Sequence, residues 1–281
     1  MASSDFHRAI KKDWIPKFSA FIDDIKTARD RERFPYNGAH IYAGWQGSGK
    51  TVSMVKHGLD LHAIYPKAIV VSNLELTGLK PVSFSLMEGM DSLNIRERQR
   101  FLTNSLRSAL LNFDPTTEYL FFQPAEELAV LFRVLRNGKR GIIYLLDEAH
   151  LYFNSLDSKD VSPEIFATIS QQRKNTTLIL GSSQLFMRLA KPIREQAVSV
   201  IMCSTWFGFW TFQKYYDAHK LTQDDEGKLH GDVKKRGWFF QTIALRKIYD
   251  TFQIVISSEQ IYDSPQMLNL DVSGLKNGKK R

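Results

Sequence analysis

Cysteine is all but missing from this chain: Cys203 stands alone among 281 residues. A single thiol excludes an intrachain disulfide and a cysteine metal cluster, and it fits a reducing, intracellular setting. Long hydrophobic runs are missing too. The most lipid-like stretch, Ala197 to Phe212, is broken by Ser199, Ser204, Thr205 and Gly208. It falls short of the roughly 20 apolar residues that a spanning helix needs. It reads instead as a buried strand and the start of another. The opening stretch, Met1 to Asp13, is polar and mixed in charge. No signal peptide and no transmembrane segment are expected, and a cytoplasmic location is the reading that follows.

What is present is a globular composition with a basic balance. Hydrophobic residues make up 43% and charged residues 24%, enough for a packed core. The net charge of +8 favours an anionic partner, nucleic acid or an anionic membrane surface, over a neutral one.

One stretch organises the rest. Gly44-Trp45-Gln46-Gly47-Ser48-Gly49-Lys50-Thr51 fits G-x-x-x-x-G-K-[ST], the phosphate-binding P-loop. A short β-prone run, His40 to Ala43, precedes it. Val52, Val55 and Leu59 follow at helical spacing. Glycines let the backbone curl until its N–H groups point at a polyphosphate, and the helix start adds partial positive charge. Lys50 is expected to reach the β- and γ-phosphates of ATP, and Thr51 to hold Mg²⁺ through its hydroxyl. The nucleotide-binding set runs from Gly44 through Thr51 to Val52.

A second apolar strand, Gly141 to Leu146, ends in Asp147-Glu148. That is the Walker B pattern. Asp147 is expected at the carboxyl end of its strand near the Mg²⁺, with Glu148 polarising the water that attacks the γ-phosphate. A further strand, Thr177 to Leu180, leads into Gly181-Ser182-Ser183-Gln184. The Gln184 amide is placed to sense the γ-phosphate or its attacking water. Runs near 40, 68, 142, 177 and 198, with helices between them, predict an α/β fold built on a mainly parallel sheet.

Other segments carry weaker signals. Phe18, Phe21, Ile22 and Ile25 make one helical stripe before the core. Arg96, Arg98, Arg100 and Arg107 form a basic cluster on an expected helix, either a solvated face or a phosphate contact. Ser162-Pro163-Glu164 starts another helix. The aromatic run Trp206, Phe207, Phe209, Trp210 and Phe212 is assigned mainly to core packing, with base stacking as the alternative. The region around Asp224 to Gly227 predicts a hairpin tip, and Trp238 to Leu245 its returning strand.

The letters Asp147-Glu148-Ala149-His150 also spell a helicase box, but no second helicase core follows them. In their order, these motifs resemble the HerA/FtsK superfamily of DNA-pumping ATPases. They are a P-loop, a strand ending Asp-Glu-Ala-His, a helix ending Gln171-Gln172-Arg173, and a strand ending Ser182-Ser183-Gln184. The run from Leu145 to Gln196, with Asn73 after the second strand, is most similar to the Zot-type phage assembly ATPases. Viral genome-packaging ATPases belong to the same superfamily. The resemblance covers roughly residues 38–205. It implies a P-loop NTPase core of RecA/FtsK type, a hexameric ring, DNA as the partner, and virion, capsid or membrane-embedded assembly proteins nearby. It implies catalytic roles for Lys50, Glu148 and Gln184, and suggests Arg173 as an arginine finger, with Arg188 and Arg194 as alternatives. Zot-type ATPases usually carry a spanning segment after the core. Its lack here points to a packaging or translocation motor. Four regions are expected: a helical extension over 1–35, the ATPase core over 36–205, a β-rich extension over 206–270 and a basic tail over 271–281. A small-molecule P-loop kinase and a nucleotide-dependent membrane-docked assembly factor are the competing readings.

Overall fold

A computed structural model of the chain describes residues 33–84, 94–153, 175–224 and 229–249. The stripe at Phe18 to Ile25, the helix starting at Ser162, Arg173, the hairpin tip over 225–228 and the tail over 271–281 lie outside the described residues.

The order begins with β1 (Gly38–Ala43), α1 (Lys50–Ile64), β2 (Ile69–Ser72), β3 (Lys80–Ser83), α2 (Ile95–Leu110), β4 (Glu118–Phe121), α3 (Ala125–Val134) and β5 (Ile142–Leu146). It continues with β6 (Thr177–Ser183), α4 (Lys191–Gln196), β7 (Ala197–Trp206), β8 (Trp210–Asp217), β9 (Thr222–Gln223), β10 (Leu229–His230), β11 (Val233–Phe240) and α5 (Ile243–Arg246). One nine-stranded sheet runs β11-β8-β7-β1-β6-β5-β2-β4-β3. All pairings from β7 to β3 are parallel. The pairings β7–β8 and β8–β11 are antiparallel. This is a P-loop NTPase fold. The β-rich part after residue 205 joins the same sheet edge-on.

Alternation along the strands divides the core between the two faces. Tyr42, Ile143, Leu145, Leu178 and Leu180 pack with Met54, Val55 and Leu61 of α1. Ile41, Tyr144, Leu146 and Ile179 pack with Leu102 and Leu106 of α2 and Leu128, Leu131 and Phe132 of α3. Helix α1 lies tight on β5 at Gly58, where an added Cβ would meet Leu145 Cδ2 at 2.5 Å. Helix α2 opens with a capping box: the Asn94 side chain accepts from Glu97 N, and the Glu97 carboxylate accepts from Asn94 N. No helix among the described residues is long and apolar enough to cross a membrane.

Two details differ from the sequence expectations. The returning strand is Val233–Phe240 rather than Trp238 to Leu245, because Thr242 caps the short helix α5 through Leu245 N. The aromatic run is not core. Trp206, Phe207 and Phe209 are exposed, as are Trp238 and Phe240 on β11.

Candidate nucleotide site

In a parallel sheet the strand carboxyl ends collect at one edge, and the loops that leave them share a crevice. Here those loops follow β1, β2, β5, β6 and β7. The P-loop leaves β1 and enters α1 through Gly49, whose φ of 84° places it in the left-handed region. Gly47, at φ 75°, has nothing within 4 Å of where a Cβ would sit, so the loop's open side can admit a ligand. Lys50 is buried, and its Nζ donates to the Trp45 carbonyl at 3.1 Å, folding the ammonium back over the loop. The Ser48 hydroxyl is buried without a hydrogen-bond partner. A loop with an orphaned hydroxyl, a tucked lysine and left-handed glycine turns suits a polyphosphate. Trp45 is 74% exposed on the loop, and Val52 is buried in the first turn of α1.

The Walker B strand meets this loop directly. The Thr51 hydroxyl donates to Asp147 Oδ1 at 2.8 Å. The Ser182 hydroxyl donates to the same oxygen at 2.6 Å and accepts from Glu148 N at 3.0 Å. Asn73, just past β2, grips the backbone from the other side. Its Nδ2 donates to the Asp147 carbonyl at 2.9 Å, and its Oδ1 accepts from Asp147 N at 2.8 Å. The Tyr152 hydroxyl, 3.2 Å from Asn73 Nδ2, donates to the Gln123 carbonyl and ties the end of β4 into the same net. Burial pushes the Asp147 carboxyl upward, while its bonds to Ser182 and Thr51 pull the other way and only partly offset the shift.

Glu148 takes a φ of 46°, rare for a residue with a side chain. The turn is held by the Ser182 bond and swings the carboxylate out of the strand line. His150 Nδ1 lies 3.2 Å from Glu148 Oε2, an ion-pair distance without hydrogen-bond alignment, so Oε2 is buried with no hydrogen-bond partner. Burial alone raises the Glu148 carboxyl. The His150 ring and the charges of Lys50 and Arg188 outweigh it and hold the group below its ordinary value. An ionised carboxylate with an oxygen open to a new hydrogen bond, beside a phosphate loop, is the chemistry needed to polarise water.

A magnesium ion fits these residues. Thr51 and Asp147 offer a hydroxyl and a carboxylate, both hard oxygen donors, and such sites leave the remaining positions to phosphate oxygens and water.

The structure brings Lys50, Thr51, Asp147 and Glu148 together. Gln184 lies one residue past β6, exposed. The residue of that strand that touches the acidic pair is Ser182, which sequence reasoning misses because it sits inside an apolar strand. Two-residue alternation from Gln184 back to Ser182 would have put both on one face. Arg188 is close enough to act electrostatically on Glu148 of its own chain. Arg194 contacts Met187 Sδ, and its Nε is buried without a partner. The arginines of α2 lie on a helix pinned by Leu102 and Leu106, with Arg98 paired to Glu126 at 3.3 Å.

No family model matches the chain, and no curated protein matches it. Several solved structures are similar to it. The genome packaging NTPase B204 from Sulfolobus turreted icosahedral virus 2, in complex with AMP, is 13% identical with a TM-score of 0.44, covering 69% of this chain and 96% of that one. The N-terminal domain of zonular occludens toxin from Neisseria meningitidis is 16% identical with a TM-score of 0.42, over 76% and 98% of the two chains. The flagellar accessory protein FlaH from Methanocaldococcus jannaschii is 15% identical with a TM-score of 0.36, over 77% and 90%.

Proposed function

We propose that this protein is an ATPase that translocates DNA during viral genome packaging or phage assembly, working as a hexameric ring of copies of this chain. The observation that carries the hydrolytic part is the 2.8 Å bond between Thr51 and Asp147, with Glu148 turned out beside it. ATP sits with its phosphates in the loop from Gly44 to Thr51. Lys50 exchanges the Trp45 carbonyl for phosphate oxygens. Thr51 and Asp147 would hold a magnesium ion, which would supply charge neutralisation on the phosphates. Glu148 orients the attacking water and accepts its proton. An arginine from a neighbouring copy, Arg173 being the candidate, completes the charge balance and makes turnover depend on assembly. The DNA part is supported by the motif order and by the net charge of +8.

The test is turnover. Purified protein is expected to hydrolyse ATP at a specific rate that rises with protein concentration and with added DNA. A specific rate indifferent to both would remove the motor reading and leave an ATPase that works without DNA or assembly.

A further inference from the structure

Strands β7, β8 and β11 carry two different faces. Cross-strand partners share a face, so the pairing register sorts them into rows. One row is Trp206, Trp210 and Phe240. The next is Ser204, Phe212 and Trp238. The third is Met202, Lys214 and Arg236. The first two rows hold five aromatic rings and no aliphatic side chain, and the third adds two exposed cations. The rings brace one another: Trp206 to Phe212 at 5.2 Å, Trp210 to Phe240 at 5.6 Å and Trp238 to Phe240 at 5.5 Å between centroids. They nevertheless stay open, with Trp206 58%, Trp238 61% and Phe240 49% exposed.

We propose that this aromatic sheet face binds single-stranded nucleic acid, stacking bases on Trp206, Trp238 and Phe240 and pairing phosphates with Lys214 and Arg236. The proposal rests on the reading of the protein as a DNA-handling ATPase and names the form of the strand. A ligand for this face must offer flat apolar rings and negative charge in alternation, which is the repeat of a nucleotide chain. An aliphatic protein patch would leave the two cations unpaired. In a duplex the bases are stacked on each other and not available to the rings.

The opposite face of the same strands touches the P-loop. Gln241 Nε2 donates to Thr211 Oγ1 at 2.7 Å, and Thr205 and Thr211 lie 3.0 Å apart. A Cβ on Gly49 would meet Thr205 Oγ1 at 2.7 Å and Gln241 Nε2 at 2.9 Å. Thr205 and Trp206 are consecutive, one against the nucleotide loop and one among the rings. A strand bound to the front therefore presses on elements that contact the nucleotide loop behind.

The test uses the full chain and a fluorescein-labelled oligothymidylate, read by anisotropy, beside a duplex of equal length. The wild type should prefer the single strand. Trp238→Ala with Phe240→Ala should weaken that binding about tenfold or more. Trp238→Phe, which keeps a ring, should retain it. Lys214→Gln with Arg236→Gln should lower the salt slope by about 1.4, from two phosphate contacts on a single strand. Circular dichroism and ATP binding unchanged from wild type certify that the variants fold. An alanine pair with wild-type affinity for the single strand overturns the proposal, and so does a wild type that prefers the duplex. The same holds for an alanine pair that loses self-association in ultracentrifugation, or binding to anionic vesicles, while holding the oligonucleotide as before. In those cases the ATPase reading survives. A wild type that binds neither strand form overturns the proposal and the DNA-handling part of the reading together, and leaves ATP hydrolysis to the turnover test.

Discussion

Thr51 and Asp147 are 96 positions apart in the chain and share a hydrogen bond of 2.8 Å. That contact joins the helix that opens at the phosphate loop to the strand that ends in the acidic pair. It sets the two candidate metal ligands side by side at the mouth of the phosphate loop. Glu148 is the next residue, turned out of the strand by its φ of 46°.

Glu148→Gln tests the water-activating role. The amide keeps the size of the side chain and loses its basicity. Turnover is expected to fall by about 10²- to 10⁴-fold, with ATP affinity near that of the wild type. Single-turnover hydrolysis and equilibrium binding of a labelled nucleotide separate the two quantities. A variant that still turns over moves the role to another residue.

Asn73→Ala tests the grip on the Walker B strand. Asn73 is buried and makes two bonds to the backbone of Asp147. Its removal strands an N–H and a carbonyl away from water. Stability is expected to drop by about 1–3 kcal/mol, measured by urea denaturation. The loss of turnover should exceed the loss of nucleotide binding, because Asp147 is no longer held against Thr51. Equal losses in both would mean that Asn73 serves folding alone.

Much of this arrangement is legible in the sequence, and the reasons for the gaps are local. The five apolar runs near 40, 68, 142, 177 and 198 are β1, β2, β5, β6 and β7; the first four are buried along nearly their whole length, and such strands read as near-continuous apolar runs. Strand β3 is hidden because it is an edge strand, mostly exposed, and carries Pro81. Sequence pattern places β11 too late because Lys234, Lys235 and Arg236 lie within it. The hydroxyl of Ser182 is invisible to a pattern that counts it as part of a β-run. The aromatic face eludes sequence reading for a different reason: whether a row of rings is covered depends on what packs over it, which strand periodicity does not encode.

Metal dependence follows from the donor set. Asp147→Asn keeps an oxygen that can accept from Thr51 and Ser182 but removes the negative charge. The magnesium concentration for half-maximal turnover is expected to rise at least about tenfold, while the fold persists. A magnesium titration of ATP hydrolysis by wild type and variant checks it. An unchanged requirement would place the metal on other ligands.

Acid sensitivity should come in part from His40. It lies on β1, with Nδ1 2.7 Å from Ser199 Oγ, across from β7. Burial, then the nearby His57, pull its pKa down from 6.5 to about 4, against a smaller opposing effect from the Asn37 backbone. The unfolded chain therefore binds more protons at this position than the folded one does between those two values. Stability should rise with pH across the window from about 4 to 6.5, and be fully present above it. As pH falls from about 7 to about 5, the depressed pKa removes roughly 2 kcal/mol from the folding free energy. His40→Gln keeps a hydrogen-bonding side chain but cannot titrate. Urea denaturation at about pH 7 and about pH 5 should show a smaller difference for the variant than for the wild type. Equal differences would mean that the imidazole is protonated as readily in the folded protein as in the unfolded chain, and that the β1–β7 seam tolerates the charge.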